Sequence, residues 1–183
     1  VLQRAKKLGK RTGVAVTSQI VHATPAAYVA HNESRNNYNE IADSFLDDRI
    51  NGETIVDVML GGGWNYFIRD DRNLVDEFKS LGYQYADTYT DLLALPEGKP
   101  TLGLFADKGL PKALDDTNPH RLSVLTESAI SHLENANGYF LLVEASQIDW
   151  AGHANDISSA MGEMEDLEQT MKLLKNYVDM HPD

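Results

Sequence analysis

A carboxylate and an imidazole lie four residues apart in the segment 144–156 (EASQIDWAGHAND). In a helical turn this spacing places Asp149 and His153 on the same face. One oxygen ligand and one nitrogen ligand from a short segment suit zinc. In the alternative interpretation Asp149 caps the next helix and Glu144 only ends a strand. The position of the segment after an apolar strand favours ligands, but spacing alone leaves both interpretations open.

The segment 16–35 (VTSQIVHATPAAYVAHNESR) also follows an apolar run. Thr24 and Pro25 predict the start of a helix, with Thr24 as the N-cap and Pro25 at the first position. Locally, a simple capping role is the favoured interpretation of Thr24. Two further residues suggest chemistry. His22 is near in sequence, and the Arg35 guanidinium could donate two hydrogen bonds to a phosphate, although an isolated arginine is more often a solvated surface group.

Other patterns are weaker. The glycine run 61–63 lacks the Lys-Ser/Thr ending of a P-loop, so it predicts a tight turn. No serine lies in a Gly-x-Ser-x-Gly elbow, and Ser18, Ser34 and Ser146 have no evident activating base. The sequence therefore offers candidate ligands without a candidate nucleophile.

The elements that must position these residues form an alternating pattern. Apolar, β-rich runs predict buried strands over 12–17, 54–60, 101–105 and 139–144. Amphipathic runs predict helices over 40–50, 73–81, 118–133 and about 158–178. The alternation predicts an α/β fold with a mostly parallel sheet and flanking helices, in a single domain over 1–183. Ligands of such sheets gather at the carboxyl ends of the strands, where the two segments described above begin.

The sequence also predicts where one of these helices starts and which face of another is buried. Asn118 and Pro119 predict the N-cap and first position of one helix. In the last helix, methionines and leucines recur at spacings of three and four, and we expect them to pack in the core rather than to form a binding surface.

Composition excludes several classes of function. The net charge of −12 argues against nucleic acid as a partner and weakly against anionic membranes. No apolar run approaches the roughly 18 residues that span a bilayer. The chain has no cysteine, so a metal site would have to use histidine, carboxylate and hydroxyl ligands.

These segments, in this order, resemble the bacterial alkaline phosphatases. The similar blocks are the two segments above together with VDVMLGGGWNYF, LGLFADKGLP and LTESAISHL, and they cover nearly the whole chain. The form with His22 before Ala-Thr-Pro and Trp150 after Asp149 is most similar to the marine, Vibrio-type branch.

The resemblance implies roles for individual residues. The family uses two zinc ions and one magnesium ion to hydrolyse phosphate monoesters through a phosphoserine and a zinc-activated water. Thr24 and Glu144 match magnesium ligands, Asp149 and His153 match ligands of the water-activating zinc, and Arg35 matches the arginine that holds the phosphoryl oxygens. His22 matches a position beside the magnesium ligands. Trp150 matches a position that tunes phosphate and metal affinity.

The resemblance also implies that this chain is a central fragment. In the family, the serine nucleophile and a bridging aspartate come before the matched region, and further zinc ligands follow it. The intact enzyme is expected to be a homodimer with a periplasmic or secreted location. Two alternatives remain, namely a sulfatase-like or phosphonate-cleaving member of the same metal-hydrolase superfamily, and a non-catalytic module stapled by a metal.

We predict that the 183-residue chain alone does not hydrolyse phosphate monoesters, because it holds only part of the implied site. An assay with p-nitrophenyl phosphate, zinc and magnesium measures this, and the expected rate equals that of a protein-free blank. Turnover far above the blank that Arg35→Ala abolishes would contradict the prediction.

Overall fold

A five-stranded parallel sheet organises the chain. The computed structural model describes residues 1–182. The strands are β1 (Arg11–Gln19), β2 (Arg49–Ile50), β3 (Glu53–Thr54), β4 (Val58–Gly62), β5 (Gln84–Ala86), β6 (Thr101–Leu104) and β7 (Tyr139–Glu144). The parallel sheet has the strand order β5-β6-β4-β1-β7, and β2 and β3 form a separate antiparallel pair. The predicted α/β class is confirmed.

Helices flank the sheet on both faces. They are α1 (Leu2–Lys7), α2 (Ala23–Val29), α3 (Tyr38–Asp47), α4 (Trp64–Phe67), α5 (Leu74–Ser80), α6 (Tyr89–Ala94), α7 (Arg121–Leu133), α8 (Gln147–His153) and α9 (Ile157–Met180). Among the residues described, none of these helices combines the length and the apolar character that a membrane crossing requires.

Alternate residues of the central strands build two cores. Val14, Val16 and Met59 pack with side chains of α1, α2, α3 and α5 on one face. Ala15 and Leu60 pack with side chains of α6 and α7 on the other face. Both β1 and β4 are therefore buried on both faces, which explains why they appear in the sequence as continuous apolar runs rather than alternating ones.

The predicted strand over 54–60 is wrong in its extent. Thr54 belongs to β3, and the sheet strand β4 begins only at Val58. Between them Asp57 uses its carboxylate to accept a hydrogen bond from the Thr12 backbone N–H at 2.8 Å, and it also binds Lys6 at 2.7 Å. The segment 54–60 looks like one strand in the sequence, but the polar contacts of Asp57 divide it between β3 and β4. The short strand β5 was not predicted.

Helix α7 begins later than predicted. Asn118 does not cap it; the Asn118 side chain accepts from the His120 N–H within a preceding turn, and the helix starts at Arg121. The predicted apolar face is confirmed, since Leu122, Leu125 and Leu133 are fully buried.

The prediction that the methionines of the last helix pack in the core is wrong. Met161, Met164 and Met171 of α9 are more than half exposed. The buried positions of this helix are instead Ser159, Gly162, Glu163, Asp166 and Thr170. A polar interaction, rather than the apolar stripe, determines which face of α9 points inward.

That interaction is a buried ion cluster between α7 and α9. Nη2 of the fully buried Arg121 donates to both carboxylate oxygens of Glu163, at 2.7 and 2.8 Å. Its Nη1 lies 3.6 Å from Asp166, whose carboxylate also accepts from the Leu122 N–H at the start of α7. Breaking such a cluster is costly because the remaining charges stay buried without a partner.

We expect Arg121→Met to lower the free energy of unfolding by about 3–5 kcal/mol at neutral pH, because it leaves Glu163 and Asp166 uncompensated. Burial raises the pKa of Asp166, against the opposing Leu122 N–H and Arg121. An acid whose pKa is higher in the folded state stabilises the fold as the pH falls through that value, so the deficit should shrink on acidification. Urea unfolding of both proteins, from neutral pH down into the acidic range, measures this difference in the free energy of unfolding.

Arg4→Met removes an exposed guanidinium and serves as the control, with an expected change within about 0.5 kcal/mol. Equal losses in the two variants would contradict the assigned role of Arg121.

Candidate active site at the carboxyl ends of β1 and β7

The two candidate segments meet because β1 and β7 are neighbours in the sheet. Their parallel pairing places Val16 opposite Glu144, so both chains leave the sheet at the same edge. After β1 a tight turn follows, in which the His22 N–H bonds the Gln19 carbonyl at 2.9 Å. After β7 the chain enters α8, which carries Asp149, Trp150 and His153. The sheet thus brings together residues more than 100 positions apart.

His22 contacts both Arg35 and Trp150. Nη2 of Arg35 lies 3.3 Å from Nε2 of His22, and the His22 ring meets the Trp150 ring edge-on at a centroid distance of 5.2 Å. Burial and then the nearby Arg35 charge lower the pKa of His22, while Glu144 and Asp149 act in the opposite direction. A neutral imidazole can accept the Arg35 hydrogen bond at Nε2, which orients the guanidinium.

The Trp150 ring packs against the backbone of Gly109, in the loop after β6. A Cβ atom on Gly109 would lie 2.6 Å from Cη2 of Trp150, closer than real side chains allow. The same loop is fixed to the end of β1, since the Leu110 N–H donates to the Thr17 carbonyl at 3.0 Å. Glycine is required here for space, and Trp150 lies between this loop and His22.

Asp149 and His153 lie on one face of α8, as predicted. Asp149 Oδ1 is 3.5 Å from His153 Nε2, and the two side chains are 72% and 82% exposed. The alternative capping role of Asp149 is wrong, because Asp156 caps α9 by accepting from the Ser159 N–H.

Thr24 lies within the first turn of α2 and is exposed. The prediction that it caps the helix is wrong, because the N-cap is His22, whose carbonyl accepts from the Ala26 N–H at 2.9 Å. The extended backbone of His22 leads into the helix two residues earlier than Pro25 suggested.

The glycine run forms the predicted turn at its last residue. Gly63 has a φ of +106° and precedes α4, while Gly61 and Gly62 belong to β4. Within residues 1–182, no three His, Asp or Glu side chains are close enough to one another to hold a metal ion.

Three residues around this edge are not predicted from the sequence. No motif identifies Gly109, and Ser18 and Ser146 have no activating base near them in the sequence. Ser146 donates to Glu144 and lies against Ser18. Its position two residues after a candidate carboxylate ligand was the available signal.

The alkaline phosphatase family model matches residues 1–181. The chain belongs to the alkaline phosphatase family. It is 54% identical over 174 residues to alkaline phosphatase 4 of Bacillus subtilis, covering 94% of this chain and 38% of that protein. The chain therefore spans well under half of that relative.

Solved alkaline phosphatases share the fold. The cold-active enzyme from a Shewanella species has a TM-score of 0.90 and 44% identity, over 100% of this chain and 44% of that one. A variant of the TAB5 alkaline phosphatase has a TM-score of 0.85 and 28% identity, over 99% of this chain and 51% of that one, and contains magnesium in its M3 site. The assignment to the Vibrio-type branch stays a prediction.

We expect Gly109→Ala to displace the Trp150 ring of this alkaline phosphatase chain and to lower the free energy of unfolding by about 1–3 kcal/mol, as overpacking does. In a Trp64→Phe background the fluorescence reports Trp150 alone. Acrylamide quenching of that fluorescence should increase.

Gly152→Ala is the matched control, because a Cβ at Gly152, two residues along the same helix, meets open space. Trp150 fluorescence that is identical in Gly109→Ala and its parent would show that the loop does not fix the ring.

Proposed function

We propose that this chain forms part of the active site of a phosphate-monoester hydrolase that depends on zinc and magnesium. The observation that carries the proposal is that His22, after β1, contacts both Arg35 and Trp150, the residue next to Asp149 on α8 after β7. An anion-binding donor and carboxylates that could hold cations therefore lie at the same edge of the sheet.

Arg35 is the residue that would bind the phosphoryl group. Its guanidinium is exposed, and His22 engages one of its terminal nitrogens. A guanidinium has five N–H donors in a planar fork, so the donors that His22 does not engage can bind phosphoryl oxygens. Contacts of this kind stabilise charge that develops in the transition state.

Thr24 and Glu144 would hold magnesium. Both offer oxygen ligands, which a hard cation prefers; Glu144 is the last residue of β7, and Thr24 lies in the first turn of α2, after β1. The magnesium in the TAB5 variant supports magnesium as a cofactor.

Asp149 and His153 would hold zinc. The oxygen of Asp149 and the nitrogen of His153 are ligand types that zinc accepts. Their atoms Oδ1 and Nε2 lie 3.5 Å apart on one exposed face of α8, so both side chains could contribute to one site. When bound, zinc lowers the pKa of a coordinated water and stabilises phosphoryl oxygens.

The residues of this chain would share the work as follows. Arg35 binds and orients the phosphoryl group, His22 holds Arg35, and the Trp150 ring limits the movement of His22.

The family resemblance further supports phosphate monoesters as substrates, a homodimeric enzyme and a periplasmic or secreted location. These three assignments remain proposals.

A chimera tests the proposed function. Residues 1–181 replace the matching segment of alkaline phosphatase 4 of Bacillus subtilis, and kcat/KM for p-nitrophenyl phosphate is measured with zinc and magnesium. We expect the chimera to be active. Arg35→Ala should lower kcat/KM by about 10²–10³, the usual cost of losing one donor to a developing oxyanion.

Arg4→Ala in the same chimera is the control for loss of an exposed arginine and should leave kcat/KM unchanged. A folded chimera that cleaves sulfate esters or phosphonates in preference to the phosphate ester would instead favour the superfamily alternative. A folded chimera without hydrolytic activity, or one indifferent to Arg35→Ala, would refute the proposal.

A further inference from the structure

Two buried serine hydroxyls lie beside Glu144 at the junction of β1 and β7. Ser18 is fully buried near the end of β1, and Ser146 is 4% exposed just after β7. Oγ of Ser146 lies 2.7 Å from Oε2 of Glu144 and 3.1 Å from Oγ of Ser18. The three groups form a continuous chain from the core to the sheet edge.

Counting protons gives the direction of this chain. An ionised carboxylate only accepts hydrogen bonds, so the single Ser146 hydroxyl proton must go to Glu144. The Ser18 hydroxyl donates to the Gln19 carbonyl at 3.1 Å, so between the two serines its oxygen can only accept. The charged carboxylate is the stronger and nearer acceptor for Ser146, which sets the rotation of the Ser146 hydroxyl.

The backbone of this turn is held independently of Glu144. The Gln147 N–H donates to the Thr17 hydroxyl at 3.2 Å, and the Gln147 side chain donates to the Thr17 carbonyl at 3.0 Å. Gln147 is itself buried. The position of Ser146 is thus set by the framework of the fold, and Glu144 adapts to it.

We propose that Ser146 is a positioning residue that holds the Glu144 side chain in one rotamer with Oε2 hydrogen-bonded and Oε1 left to bind a divalent cation. The inference rests on the proposed role of Glu144 as a magnesium ligand and deepens it.

The chemical consequence concerns how the carboxylate binds. With one oxygen engaged by a hydroxyl, Glu144 would bind a cation through the other oxygen alone. Magnesium requires near-ideal octahedral geometry at short distances, which one-oxygen carboxylate ligands satisfy readily. Residues that orient metal ligands in this way typically contribute 10- to 100-fold to metal affinity.

The first experiment needs no metal. Three-bond coupling constants of the Glu144 side chain, measured by NMR on the 183-residue chain, report whether it occupies one rotamer. We expect a single rotamer in the parent and rotamer averaging in Ser146→Ala. Ser146→Cys keeps only a weak S–H donor and should produce a smaller change in the same direction, and it provides a second variant should Ser146→Ala fail to fold.

The second experiment uses Mn²⁺ as a paramagnetic probe of a magnesium-type site. Broadening of the Glu144 and Ala145 amide signals during a Mn²⁺ titration gives the local affinity. Ser146→Ala should weaken that affinity about tenfold. Ser131→Ala is the matched control, because it also removes a serine hydroxyl that bonds within the chain but lies on α7.

The outcomes separate the two proposals. If Mn²⁺ fails to broaden these signals, or broadens them equally in Glu144→Gln, the metal role of Glu144 fails and the positioning inference fails with it. If Glu144→Gln abolishes the broadening but Ser146→Ala leaves the affinity or the coupling constants unchanged, only the positioning inference is overturned.

Discussion

The parallel pairing of β1 with β7 is the constraint on which the candidate site depends. It joins a strand near the start of the chain to one more than 100 residues later, and its register places Val16 beside Glu144. Because both strands run in the same direction, the segments that leave them emerge side by side. The contacts of His22 with Trp150 and of Ser18 with Ser146 all follow from this one pairing. Any change that shifted the register of β1 against β7 would break both contacts at once.

Much of this arrangement could be predicted from the sequence. The central strands are buried on both faces, so a continuous apolar run such as 12–17 predicts a strand without an alternating pattern. The spacing of Asp149 and His153 also predicted their shared helical face, because that relation depends on local geometry alone. Predictions of where elements begin were less successful. The start of the predicted strand over 54–60 was wrong, because Asp57 bonds to the backbone of Thr12, a partner distant in sequence. The start of α7 was also wrong, because the Asn118 side chain bonds to the His120 N–H in a local turn instead of capping the helix.

The orientation of α9 illustrates the limit most clearly. Its methionines have the spacing of a packed apolar face, yet they are exposed. Carboxylates such as Glu163 and Asp166 are usually expected on a solvated surface. The buried Arg121 on another helix reverses that expectation, because an unpartnered guanidinium in the core would cost more than exposing methionine. Nothing within the helix itself indicates that such a partner exists.

The position of β7 has a consequence for how the sheet could grow. It is the end strand, pairing with β1 on one side, and all six of its residues are only partly buried although most are apolar. Lysine and proline, which commonly protect an edge, are absent from it. A strand that added in parallel to β7 would finish beside Glu144, and the residues after it would emerge next to Asp149 and His153. The exposed edge of the sheet therefore determines from which side additional ligands could approach the carboxylates that we propose to bind metal.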